Sequence, residues 1–188
     1  DWVKAFLALP VENTPGSRFV YNSGATVMLS AAIQQRSGMN LLAFAERHLF
    51  PKLGITDYTW EAGPNQLTAG GWGLSLRLLD FARLGQLYLK NGEFNGQRVV
   101  PADWVADSTP SPIDSNNVNP FWGSGYGYQF WMNDFGGYRA DGAYGQYAFV
   151  LPEYDAVVAF NSHLSDTEMP AKLVRRWLLP AMRSATPL

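Results

Sequence analysis

The 188 residues hold two histidines, His48 and His163, and no cysteine. A cysteine nucleophile, a disulfide and a thiolate zinc site are thereby excluded within this chain, while the redox compartment stays open. No Gly-x-Ser-x-Gly elbow, His-Glu-x-x-His pair or Gly-x-x-x-x-Gly-Lys loop occurs, so the chemistries those spacings serve are not signalled. A lone histidine near the end of a helix or strand is usually structural, which sets His48 and His163 aside. Gly123-Ser124-Gly125-Tyr126-Gly127 is glycine-rich like a phosphate loop. An aromatic, strand-like run follows it where phosphate binding needs a helix, and it reads as a flexible strand entry. Trp72, within Gly70-Gly71-Trp72-Gly73, either lines a pocket or covers an edge of the core.

Elements must position whatever chemistry there is, and the composition provides for them. With 47% hydrophobic and 14% aromatic residues the chain can bury a substantial core. A formal charge of -2, from 14 basic and 16 acidic residues mixed along the sequence, offers no stripe for nucleic acid. No apolar run approaches the ~20 residues of a membrane span, and Asp1-Trp2-Val3-Lys4 is not a signal peptide. The chain opens without methionine inside an apolar stretch, as a piece of a longer protein would.

After Thr14-Pro15-Gly16, the residues Ala25, Met28, Leu29, Ala32 and Ile33 recur at helical spacing up to a stop at Gly38, predicting an amphipathic helix. A second helix is expected from Asn40 to about Leu49, ended by Pro51. A third follows Ser75, with Leu78, Phe81, Ala82, Tyr88 and Leu89 on one face. Gly92 and Gly96 mark a tight turn, Pro101 starts a short helix, and Ser108 to Pro120 reads as a surface loop. Strands are expected over 126–132, 144–151 and 156–161, and a closing helix from Glu168 with Pro170 in its first turn and Pro180 as a stop or kink. The fold class is α+β, a mixed arrangement: residues 1–122 mainly helical, residues 123–188 antiparallel strands and a C-terminal helix of the same domain.

Pro15-Gly16-Ser17-Arg18-Phe19-Val20-Tyr21-Asn22-Ser23-Gly24, leading through the helix to Ser37-Gly38, resembles the second motif of the serine β-lactamase and penicillin-binding-protein superfamily. There a Tyr-x-Asn or Tyr-x-Ser turn precedes an apolar helix. Phe50-Pro51-Lys52-Leu53-Gly54-Ile55, Ala69 to Ser75, Leu79 to Gly85 and Asn91 to Gly96 are similar to further family stretches, in the same order. The third motif, Lys/His-Thr/Ser-Gly in the family, falls on Asp141-Gly142-Ala143, before Tyr144-Gly145-Gln146. The resemblance covers nearly the whole chain and implies a β-lactamase/transpeptidase-like fold, here partial.

What it implies chemically is attack by a serine on an ester or amide carbonyl, with no metal and no cofactor. A lysine one helical turn after that serine, with Tyr21, would move its proton, and Ser23 would orient the network. The Tyr144 N–H would be half of an oxyanion hole. Asn22, Trp72, Asp141, Gly142 and Ala143 would contact substrate. A tyrosine with an ordinary pKa near 10 needs a neighbouring cation to act as a base near neutrality. Yet no Ser-x-x-Lys precedes any of Lys4, Lys52, Lys90 or Lys172. Either the motif lies upstream of Asp1, or the chain is a degenerate relative serving as a noncatalytic binding or structural module. Alternatives stand beside two residues: Tyr21 as a buried tyrosine capping a backbone group, and Asp141 as a turn residue opening a strand.

Where penicillin-binding members keep a cation in motif three, an acid at 141 would repel a substrate carboxylate. Together with Ser23, this points to the carboxylesterase and 6-aminohexanoate-dimer-hydrolase branch rather than to a dedicated β-lactamase. Trp72, Trp122, Tyr126, Tyr128, Trp131 and Tyr138 would suit an apolar acyl or alcohol group. Family members are often exported, so a periplasmic or secreted location is expected. An incomplete sheet would leave an unpaired edge and favour homo-oligomers of the chain.

Overall fold

The computed structural model describes residues 1–110 and 125–184. The expected boundary near Gly123, Trp122 and most of the Ser108–Pro120 loop lie outside the described residues. The chain divides into two compact units, Asp1–Arg77 and Leu78–Leu188.

In the first unit, α1 (Trp2–Leu7) is capped by the Asp1 carboxylate. It is followed by α2 (Ser23–Ser37), α3 (Leu41–His48), α4 (Phe50–Leu53) and an antiparallel pair, β1 (Tyr58–Trp60) with β2 (Leu74–Leu76). Helix α2 ends at Gly38, whose φ of 72° is the left-handed conformation a helix stop favours. Its apolar stripe is not the buried face. Leu29 is exposed, and the helix buries Val27 and Ser30 instead. The reason is the neighbour that packs there. A Cβ on Gly70 would stand 2.5 Å from the Thr26 carbonyl, and one on Gly71 2.7 Å from that of Ser23. The Gly70–Gly71 backbone thus lies directly on the helix, which only small residues on both sides permit. The Ser30 hydroxyl seals the contact by donating to the Thr68 carbonyl at 2.7 Å. The helix expected from Asn40 to about Leu49 is α3, which stops ahead of Pro51, but Pro51 itself belongs to the next helix. It sits in the first turn of α4, where a missing N–H costs nothing.

In the second unit, α5 (Leu78–Leu89) precedes a hairpin of β3 (Glu93–Phe94) and β4 (Gln97–Arg98), with Asn95 and Gly96 both at positive φ in its turn. Helix α6 (Ala102–Ser108) starts after Pro101. Then comes an antiparallel sheet in the order β5 (Trp131–Met132), β6 (Tyr138–Gly142), β7 (Gln146–Leu151), β8 (Ala156–Phe160). Three of these strands carry the expected antiparallel runs, trimmed: only Trp131–Met132 of the first run is strand, and Tyr144 is in a turn. The fourth strand, β6, lies where motif three was placed. Period-two alternation gives β7 two buried faces. Tyr147, Phe149 and Leu151 pack with Ala171, Val174 and Leu179 of the closing helix. Ala148 and Val150 are also buried, and the opposite face meets α5 at Gly85, where a Cβ would come within 2.8 Å of Val157. The unit is therefore a sheet between helical layers. The closing helix runs through Pro180 by inserting a π turn: α7 (Met169–Leu173), Val174–Leu178 in π geometry, then α8 (Leu179–Ser184). The wider turn absorbs the hydrogen bond that proline cannot make.

Candidate active site

The candidate residues fall into two groups, one in each unit. In the first, Asn22 is the N-cap of α2: its backbone is extended (φ -145°, ψ 102°) and its side-chain oxygen accepts from the Ala25 N–H at 3.2 Å. That cap ends the turn and starts the helix, which places Tyr21 just before the first turn and Ser23 inside it. Tyr21 is 56% exposed, so a buried capping tyrosine is not what the fold makes of it. Ser23 meets the Gly70–Gly73 loop through the close approach of Gly71, and the same loop carries Trp72. Trp72 is 41% exposed and rests on Trp2, ring centroids 5.3 Å apart. Its carbonyl and that of Ala69 both accept from the Trp60 indole N–H, at 3.2 and 2.7 Å. The structure brings Tyr21, Asn22, Ser23 and the Trp72 loop together at one end of α2.

The second group is a β-hairpin. Gly142 pairs with Gln146 at the end of the β6–β7 ladder, and Ala143, Tyr144 and Gly145 make the turn. Tyr144 has φ 63° and Gly145 φ 84°, so a bulky residue holds a conformation that normally selects glycine. Asp141 belongs to β6 and does not open a strand. Its carboxylate is buried against Arg139, Nε to Oδ2 3.0 Å, in a pair whose side chains are 2% and 6% exposed. The Arg139 guanidinium also donates to the Met132 carbonyl at 2.9 Å and to Asn133 Oδ1 at 3.1 Å. Burial pushes the Asp141 carboxyl up to about 7, against the pull of Arg139 and the Tyr147 hydroxyl. Burial likewise raises the Tyr147 phenol, whose hydroxyl donates to the Thr167 carbonyl at 2.8 Å. The acid at 141 is therefore matched inside the protein by a cation two residues away, and is not a bare charge.

Sequence reasoning overlooked Arg139 and Ser162 and gave Gln146 no role; His163, set aside there as structural, stacks on the Tyr144 ring. Alternation in the 138–142 stretch could have paired Arg139 with Asp141 on one strand face. Nothing local in the sequence puts Ser162 beside Tyr144, because that contact depends on the register of β7 with β8. Among the described residues no cluster of His, Asp and Glu could hold a metal, and no helix is long and apolar enough to cross a membrane.

Residues 1–181 match the Beta-lactamase family model, and the chain belongs to that family. It is 26% identical over 158 residues to the 6-aminohexanoate-dimer hydrolase of Paenarthrobacter ureafaciens, an alignment covering 80% of this chain and 40% of the relative. Among solved structures, a Bacillus anthracis protein assigned as a 6-aminohexanoate-dimer hydrolase superposes with a TM-score of 0.75 at 24% identity, covering 91% of this chain and 45% of that one. The octameric penicillin-binding protein homologue of Pyrococcus abyssi gives 0.70 at 22% identity, covering 89% and 44%. The chain spans less than half the length of these three relatives.

Proposed function

We propose that the full gene product carrying these residues is a serine hydrolase that cleaves esters or amides through an acyl-enzyme. The observation that carries this reading is the placement of Tyr21: an exposed phenol directly before the N-cap of α2, in a chain of the beta-lactamase family. Tyr21 serves as the acid and base for the attacking serine and the leaving group. Ser23, in the first turn of α2, orients that proton network. The Tyr144 N–H, at the tip of the β6–β7 hairpin, supplies one donor to the oxyanion, where a single prepositioned donor is worth about 10²-fold in rate or more.

The substrate is an apolar or neutral ester or amide rather than an anionic one. The Arg139 guanidinium is buried and its N–H groups donate to Asp141, the Met132 carbonyl and Asn133, so it is not offered to a substrate carboxylate. The relative from Paenarthrobacter ureafaciens is named for a 6-aminohexanoate dimer, which favours an amide as the scissile bond; an aminohexanoate also carries a carboxylate, so the neutral substrate rests on motif three of this chain and not on that relative. Trp72 gives the acyl or alcohol group an aromatic surface. These 188 residues contain no Ser-x-x-Lys, and alone they are inactive by this mechanism. Steady-state assays of the gene product on neutral aryl esters and anilides, with and without Tyr21→Phe, test the reading. The variant should lose about 10²-fold or more in kcat, the range for a positioned acid-base group. Unchanged kcat in the variant removes Tyr21 from the mechanism.

A further inference from the structure

The turn that carries the Tyr144 N–H is held by side chains with no other evident task. The Tyr144 carbonyl accepts from the Leu164 N–H at 3.0 Å and from the Ser162 hydroxyl at 2.9 Å. The same hydroxyl lies 2.6 Å from the Gly145 carbonyl. Register pairing of β7 with β8 ends at Tyr147 and Phe160. Beyond it the Gln146 side chain continues the ladder: its oxygen accepts from the Ser162 N–H at 3.2 Å and its amide donates to the Ser162 carbonyl. A primary amide presents the same donor and acceptor as a peptide group, so Gln146 pairs with Ser162 much as a strand residue would. The Tyr144 ring stacks on His163 at 4.5 Å, with 30° between the planes.

These contacts have one mechanical consequence. The direction of the Tyr144 N–H relative to its own carbonyl is set by φ and ψ at that residue. With φ at 63° a non-glycine residue is strained by roughly 1–2 kcal/mol and would relax if released. Fixing the carbonyls of 144 and 145 from below therefore fixes where the N–H above them points. We propose that Ser162 and Gln146 are positioning residues that hold the Tyr144 N–H on the developing oxyanion. The inference rests on the hydrolase reading above and adds to it the groups that preorganise the donor.

The test uses the full gene product as wild type and as Ser162→Ala, Ser162→Thr and Gln146→Leu. Three quantities are measured: kcat and KM on an aryl ester, inhibition by an arylboronic acid that forms a tetrahedral adduct on the serine, and the thermal midpoint. Ser162→Ala and Gln146→Leu should each lower kcat about 10-fold while KM stays within about twofold, because only transition-state stabilisation is lost. Boronate affinity should fall by the same factor, and Ser162→Thr, which keeps the hydroxyl, should restore both. Unchanged kcat and boronate affinity in the Ala and Leu variants would overturn the proposal. So would a rise in KM alone, or a loss that Thr does not rescue. Absence of turnover in the wild type overturns the hydrolase reading itself and this inference with it, so the two failures are distinguishable.

Discussion

Asp141 and Arg139 form a buried hydrogen-bonded pair near the turn end of the candidate hairpin, and the pair has consequences that reach stability. The Asp141 carboxyl rises from its ordinary value of 3.8 to about 7 because burial outweighs the help of Arg139. Between those two values the folded protein keeps a proton that the unfolded chain has released. Its contribution to stability is thus complete below about pH 4 and is lost as the pH climbs through about 7. Urea unfolding of wild type and Asp141→Asn at ~pH 5 and ~pH 8 measures this. The wild type should lose stability relative to the variant at the higher pH, whereas an opposite slope would show an Asp141 held ionised by Arg139. Arg139 is the more costly residue to remove. Arg139→Ala leaves the network without its cation and the Met132 and Asn133 acceptors without their donor. It should cost about 3–5 kcal/mol in the same assay, and the double replacement Arg139→Met with Asp141→Leu should recover most of that.

The contact between α2 and the Gly70–Gly71 loop is the packing on which the placement of Tyr21, Asn22 and Ser23 depends. Gly71 needs no unusual backbone angle, but a Cβ there would collide with the Ser23 carbonyl at 2.7 Å. Gly71→Ala should therefore destabilise by about 1–3 kcal/mol through overpacking alone. Gly38→Ala meets nothing within 4 Å and should cost about 1 kcal/mol through its left-handed φ. Chemical denaturation followed by tryptophan fluorescence compares the two, and a Gly71→Ala protein as stable as wild type would dissociate the loop from the helix.

This contact also shows how far sequence patterns reach. The Gly38 stop of α2 and the succession of α2, α3, α5 and α6 ahead of the C-terminal strands and closing helix were legible, because caps, glycines and periodicity act locally. The buried face of α2 was not, since Ser23, Thr26 and Ser30 face inward only because a remote Gly-Gly pair needs the room. Strands as short as β1 and β2 leave no periodic trace, and neither the first-turn place of Pro51 in α4 nor the π turn ahead of Pro180 is written in the periodicity. Of the candidate residues, motif order singled out the Tyr21 stretch and 141–144; it put the Tyr144 N–H on a strand, whereas β6 ends at Gly142 and Tyr144 lies in the turn. The bracing of that turn by Ser162 and Gln146 was not readable, because it is set by strand register.

At the scale of the molecule, the second unit presents an edge. Among the described residues β8 pairs with β7 and with no other strand, and its sequence Ala-Val-Val-Ala-Phe is free of charge. Such an edge invites pairing with another chain. The 188-residue chain by itself should self-associate as its concentration rises, and a monomer by light scattering across the micromolar to millimolar range would count against an open edge.

The central claim concerns the gene product as a serine hydrolase whose tyrosine lies in this chain. Intact-mass analysis after exposure to a fluorophosphonate tests it most directly, on the full gene product, on its Tyr21→Phe variant and on these 188 residues alone. The account predicts one adduct at a single serine of the gene product, slower labelling of the variant, and none on the isolated chain. A folded gene product that takes up no label, or labelling of the isolated chain at one serine, would contradict it.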